Sequence, residues 1–201
     1  QETLDAIPDH HRELRTGFAE VIFGENKSTD QIRAIVDSLG TKPILVTRLS
    51  GEKLAALEQA FPGSRANPMA RTIIIHPPDE KRLTPDQIKE KSRPFVLIVT
   101  AGTSDLPVAQ EAAEVCVARQ VPFALISDAG VAGLHRITSR TWLLQKASAI
   151  VVCAGMEGAL PGVIAGLCGK PVFAVPTSVG YGANLGGFAA LLTMLNSCGS
   201  G

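Results

Sequence analysis

From residue 95 onward the sequence repeats one pattern four times: a short apolar run without polar alternation, then a helical stretch. The runs are Phe95 to Thr100, Pro122 to Ile126, Ala149 to Cys153 and Pro171 to Val175. The stretches that follow them are Leu106 to Gln120, about Leu134 to Lys146, Ala159 to Cys168 and Leu185 to Asn196. Strands that do not alternate are covered on both faces, and a helix after each one lets the next strand lie parallel to it. The pattern predicts an α/β fold, a doubly wound parallel sheet.

Ahead of this lies a smaller α/β unit over residues 1–76. Ser28-Thr29-Asp30-Gln31 caps a helix that runs through Leu39, Pro43 to Leu49 is a strand, Gly51 to Phe61 a helix and Arg71 to His76 a second strand. Residues 77–94 form a charged, Pro-rich linker, within which Thr84-Pro85-Asp86-Gln87 reads as a capping box opening a short helix. Residues 95–201 then form the larger domain, which holds the parallel sheet. The chain opens at Gln1 and ends Ser197-Cys198-Gly199-Ser200-Gly201, as expected of a fragment of something slightly longer.

Charge separates these parts. Lys+Arg 19 balances Asp+Glu 19, which argues against a nucleic-acid binder that works by a basic field. Residues 1–94 hold 28 of the 38 charges, residues 95–150 eight, and residues 151–201 only Glu157 and Lys170. Such a final segment is expected both at the centre of a sheet and at an assembly interface, since a soluble monomer rarely exposes that much apolar surface. The apolar runs fall far short of the roughly 20 residues of a membrane span, and no signal peptide is visible. The four cysteines, Cys116, Cys153, Cys168 and Cys198, match neither a zinc ribbon nor a C-x-x-C pair. A reducing cytoplasm without membrane contact is the expectation, and no His/Cys/Asp cluster has metal-ligand spacing.

In doubly wound sheets ligands bind beyond the carboxyl ends of the strands. Four loops leave those ends: Ala101 to Asp105, Ser127 to Gly133, Ala154 to Gly158 and Thr177 to Asn184, all rich in Gly, Ser, Thr or Asp. Taken singly each is an ordinary turn with an N-cap, and Asp105 is a good cap. Four together favour a phosphate-bearing ligand, approached by backbone N–H groups and helix N-termini. None is a G-x-G-x-x-G or Walker loop, which argues against a nicotinamide redox role or a P-loop NTPase.

Three side chains stand out. Glu157 is the only acid of the last 51 residues. It is either a pocket carboxylate suited to proton transfer or a helix-start acid favoured by the macrodipole. Cys198 lies among polar and small residues and is the candidate accessible thiolate, whereas Cys153 and Cys168 read as buried. His135-Arg136 follows the second loop, as ligand contacts or as helix surface. His10-His11, within charged sequence, reads as a solvated helix.

From Phe95 onward the sequence resembles the aminoimidazole ribonucleotide carboxylases, the PurE family. The segments that carry the resemblance are Gly102-Thr103-Ser104-Asp105, Gly133-Leu134-His135-Arg136 and Ala154 to Gly162. Over its whole length it is more similar to the LarB family, through Asp9 to Phe18, Val21 to Gly24, Ala154 to Pro161, Pro176 to Gly182 and Met194 to Cys198. The purine enzymes have Ser-Ala before His-Arg and a His before Leu-Pro-Gly, where this chain has Gly133-Leu134 and Ala159. LarB proteins continue past the Asn-Ser-Cys motif.

The resemblance implies a PurE/flavodoxin-like fold and an enzyme of nickel-pincer nucleotide synthesis. Such an enzyme takes nicotinic acid adenine dinucleotide and CO2 to pyridinium-3,5-biscarboxylic acid mononucleotide and AMP. Cys198 and Glu157 are the implied catalytic residues. Gly102, Thr103, Ser104, Asp105, Asp128, His135, Arg136, Ala154, Gly155, Met156, Gly158 and Ser178 are the implied substrate contacts. Mg2+ would accompany the substrate phosphates, and a homo-oligomer, as in the purine carboxylases' octamers, is expected. The rival readings are an aminoimidazole ribonucleotide carboxylase or mutase, and a nucleotide-binding module without catalysis.

Overall fold

The computed structural model describes Asp9, residues 11–90 and residues 93–199; His10 of the two-histidine motif and the Ser200-Gly201 end lie outside them. The chain divides into two compact units, Gln1–Glu80 with Glu114–Gln120, and Lys81–Ala113 with Val121–Gly201.

The first unit opens with the short helix α1 (Arg12–Thr16) and holds a mixed sheet, β1 (Ile22–Phe23), β2 (Ile44–Thr47), β3 (Arg65–Asn67) and β4 (Thr72–Ile75), in the order β1-β2-β4-β3. Only β1 and β2 are parallel. Helices α2 (Thr29–Leu39) and α3 (Gly51–Ala60) start where Ser28 and Ser50 accept the N–H groups of Gln31 and Lys53. Their apolar faces, Ile32, Ile35, Val36, Leu54 and Leu57, close over Ile44, Val46, Ile73 and Ile75. The two additional strands carry little signal in the sequence: β1 has two residues, and Arg65-Ala66-Asn67 is mostly polar.

In the second unit α4 (Pro85–Glu90) begins at the expected capping box, with Thr84 and Gln87 exchanging backbone-to-side-chain bonds of 2.9 and 3.3 Å. The sheet consists of β5 (Val96–Thr100), β6 (Phe123–Ile126), β7 (Ala149–Ala154) and β8 (Val172–Pro176), all parallel, in the order β6-β5-β7-β8. This is the doubly wound, flavodoxin-like arrangement. Leu97, Val99, Ile150 and Val152 on one face are 0% exposed beneath residues of α4, α6 (His135–Thr138), α7 (Thr141–Lys146) and α8 (Leu160–Leu167). Ile98 and Cys153, which alternation turns to the opposite face, are equally buried. The remaining helices are α5 (Leu106–Ala118) and α9 (Phe188–Leu195).

Two expectations need correction. The helix expected over 134–146 is broken in two, because Thr138, Ser139 and Thr141 turn their hydroxyls onto the carbonyls of Leu134, Arg136 and Thr138 and so compete with the helical ladder. The charge-poor final segment is only partly at the centre of the sheet: β7 is interior, but β8 is an edge strand on which Phe173 is 59% exposed.

Candidate functional site

The strand order fixes where a ligand can enter. The chain leaves β5 for β6 on one side and then crosses back to β7 on the other, so the loops after β5 and β7 diverge at a topological switch point. A cleft of ≈ 320 Å³ opens there, at the small end of the range typical of ligand pockets.

The loop after β5 gives Gly102, Thr103, Ser104 and Asp105 to the cleft wall. Asp105 is only 2% exposed. Its Oδ2 accepts the Gly102 N–H at 2.9 Å and its Oδ1 accepts the Thr177 hydroxyl at 2.6 Å, so the carboxyl ties this loop to the one after β8. Thr103 and Ser104 are exposed beside it, at the start of the thirteen-residue α5, where a helix N-terminus favours an anion.

The loop after β6 brings Asp128 and Arg136. Asp128 has φ +56° and donates its N–H to Thr100 Oγ1 at 3.1 Å. Arg136 holds Asp128 Oδ2 at 2.7 Å and donates to the Gly130 carbonyl at 3.3 Å, while its Nε is buried without a hydrogen-bond partner. A Cβ at Gly133 would stand 2.8 Å from that Nε, so the small residue is what lets the guanidinium lie where it does. Among the described residues lining the cleft, Arg136 is the single cation.

The loop after β7 supplies Ala154, Gly155, Met156 and Glu157. Gly155 has no room for a side chain, since a Cβ there would lie 2.2 Å from the Val179 carbonyl oxygen and 2.7 Å from Thr177 Oγ1. Met156 donates its N–H to Val179 O at 2.6 Å, and Asn184 Nδ2 donates to Met156 O at 2.8 Å. Glu157 is exposed in the turn between Gly155 and Gly158, ahead of α8 and outside its first helical turn. Glu157 thus lines the cleft as an exposed carboxylate and does not sit in the first turn of α8.

Not every expected site residue reaches the cleft. His135 is exposed at the start of α6, Ser178 is exposed beyond β8, and Gly158 is buried against the backbone of Ala190; none of the three lines the cavity. Cys198 is the exposed cysteine, as expected, and Cys116 and Cys153 are buried, but Cys168 is only partly so. Cys198 does not line the cleft either. Its neighbours lie on the flank of α8: a Cβ at Gly162 would approach Ser197 Oγ to 3.2 Å, and one at Gly199 would meet the Ala165 Cβ at 2.8 Å.

Sequence reasoning missed the apolar part of the wall, Val131, Ala132, Leu160 and Val179, and the role of Thr177. Apolar residues in loops carry no signal of their own, and Thr177 acts through a partner 72 positions away. Among the described residues no group of three or more His, Cys, Asp or Glu side chains is placed to hold a metal ion, and no helix is long and apolar enough to cross a membrane.

Comparison with known proteins matches residues 2–78 to the LarB/PurE-like N-terminal domain and residues 95–200 to the AIR carboxylase domain. An uncharacterized protein of Methanocaldococcus jannaschii is 36% identical over 203 residues, covering 96% of this chain and 75% of that protein. The N5-carboxyaminoimidazole ribonucleotide mutase of the same organism is 34% identical over 102 residues, covering 49% of this chain and 60% of the mutase.

Proposed function

Because the chain belongs to the LarB/PurE-like family with an AIR carboxylase domain, a family that supports a carboxylase-like activity, we propose that it carboxylates the pyridinium ring of nicotinic acid adenine dinucleotide. It then hydrolyses the phosphoanhydride, releasing AMP and pyridinium-3,5-biscarboxylic acid mononucleotide. The observation that carries the proposal is the placement of Glu157, exposed on the wall of the switch-point cleft in a loop of otherwise small and apolar residues.

The ring is electron-poor and does not attack CO2 by itself. Addition of the Cys198 thiolate para to the ring nitrogen forms a C–S bond and leaves a dienamine, whose adjacent carbon is nucleophilic. That carbon forms a C–C bond to CO2. Glu157 removes the proton it carries, the C–S electron pair returns to sulfur, and aromaticity is restored. Ring and CO2 give carboxylated ring and one proton, so the sequence balances. Ser104, the N–H groups at the start of α5 and Arg136 take the phosphate and ribose.

The protein offers Mg2+ little of its own, because Asp105 is committed to Thr177 and Gly102, and Asp128 is paired with Arg136. An Mg2+ ion would therefore be held chiefly by substrate phosphates, whose charge it would neutralise. Since Cys198 stands outside the cleft of its own chain, we infer that a second copy, seated on the exposed apolar face of α9, delivers the thiol.

The test is incubation with nicotinic acid adenine dinucleotide, bicarbonate and Mg2+ and identification of products by mass. AMP and a biscarboxylated mononucleotide are expected. Turnover of an aminoimidazole ribonucleotide instead would replace this reading with the purine one, and no product from either would leave a binding module.

A further inference from the structure

One residue of the cleft adopts a backbone conformation that its own side chain disfavours. Met156 has φ +52°, in the left-handed region where a Cβ crowds the following carbonyl and which only Gly, Asn and Asp visit readily. Asp128, the other left-handed residue on the cleft wall, is of the tolerated type. Gly155 and Gly158 lie in the same turn, so this loop uses glycine where backbone alone is at issue. At 156 it carries a long apolar side chain instead. The surroundings over-determine the conformation, with the Met156 N–H on Val179 O and its carbonyl held by Asn184, as expected where strain is kept for a function.

What the strain presents is a polarisable thioether, 40% exposed, on a wall it shares with Val131, Leu160 and Val179. These four are apolar and cannot bind an anion, whereas the cleft's polar side chains, Thr103, Ser104, Asp105, Asp128, Arg136 and Glu157, include the one cation, Arg136, and the exposed hydroxyl of Ser104. Methionine adapts to flat rings and makes favourable sulfur–aromatic contacts. We propose that Met156 is a specificity-determining residue whose side chain packs on the nitrogen heterocycle of the nucleotide while Ser104 and Arg136 take its ribose phosphate. The inference rests on the carboxylase reading above, which already places the pyridinium ring in this cleft, and adds the residue that recognises it.

Calorimetric titration of the intact protein with nicotinic acid mononucleotide, AMP and ribose 5-phosphate, alongside melting curves, tests it. Met156→Gly relieves the left-handed strain, so its melting temperature holds or rises. Its affinity for nicotinic acid mononucleotide falls roughly tenfold, about 1.4 kcal/mol, while AMP and ribose 5-phosphate bind as before. Met156→Leu, of similar volume, returns the affinity to within about threefold. A lowered melting temperature with all three ligands weakened together makes Met156 a packing residue and overturns the assignment. So does a loss confined to AMP, or unchanged binding of the mononucleotide. A native protein that binds neither nicotinic acid mononucleotide nor its adenine dinucleotide overturns the carboxylase reading itself, and the assignment with it.

Discussion

At the scale of single residues the four cysteines show how environment sets chemistry. Cys153 is 0% exposed, and burial, with the nearby Asp105 charge adding to it, pushes its thiol up to about 12; burial raises Cys116 to about 11. Both fold as protonated thiols, whereas an unfolded cysteine titrates near about 8.5. A folded value above the unfolded one means stability that is complete below the unfolded value and lost as pH rises toward the folded one. The melting temperature is therefore expected to hold up to about pH 8.5 and to fall over roughly pH 9–11, and Cys153→Ala to flatten part of that fall. Cys198, exposed, should react first with a neutral alkylating reagent, with Cys116 and Cys153 spared until the protein unfolds. Cys198→Ser should leave the melting temperature nearly unchanged and abolish any dihydropyridine absorbance with nicotinic acid adenine dinucleotide or nicotinamide adenine dinucleotide. Cys153→Ser should cost about 1–2 kcal/mol and spare the adduct. An adduct that persists in Cys198→Ser removes covalent activation from the mechanism.

At the scale of elements, the cleft is held open by ties between loops. Thr177, 4% exposed, gives its hydroxyl to a carboxyl buried on the far side of the sheet's switch point. Thr177→Val keeps the shape and leaves an Asp105 oxygen unpaired, which should cost about 1–3 kcal/mol, measurable by denaturant unfolding; Thr177→Ser should recover most of it. Why such ties escape the sequence follows from what periodicity encodes. Runs such as Phe95 to Thr100 declare buried strands, and capping boxes at Ser28 and Thr84 declare helix starts within a residue, because both are local. The loops of the cleft were legible for the same reason, as breaks between strand and helix. Pairings over long separations were not. Glu114 reads as one more polar residue of α5, yet it is 1% exposed and receives Arg65 at 3.0 and 3.2 Å and Asn67 at 2.8 Å. The polar strand β3, which places those two partners, has no apolar pattern to announce it.

At the scale of the whole molecule, we propose that the apolar surface near the chain's end is covered by a second copy. Leu185, Phe188, Leu192 and Leu195 are between 49% and 75% exposed, and Phe173 lies bare on the edge strand β8. Patches of this kind on soluble proteins mark association sites, and a closed symmetric oligomer is the usual way to cover them. Light scattering at micromolar concentration should show an oligomer, and Leu192→Lys should dissociate it; a monomeric native protein would sink the idea. Such assembly would also bear on the proposed catalysis, since Glu157 lines the cleft and Cys198 of the same chain does not. Glu157→Gln, isosteric and solvent-exposed, should fold normally and lose carboxylation, and Cys198→Ser should lose it too. If thiol and carboxylate meet across two copies, mixing the two inactive variants by co-expression restores complete sites. With random mixing in a symmetric oligomer, one variant's glutamate meets the other's cysteine in about a quarter of the sites, and about a quarter of native turnover returns. Mixtures as inactive as either variant alone would place both groups in one chain and require the segment after α9 to reach its own cleft.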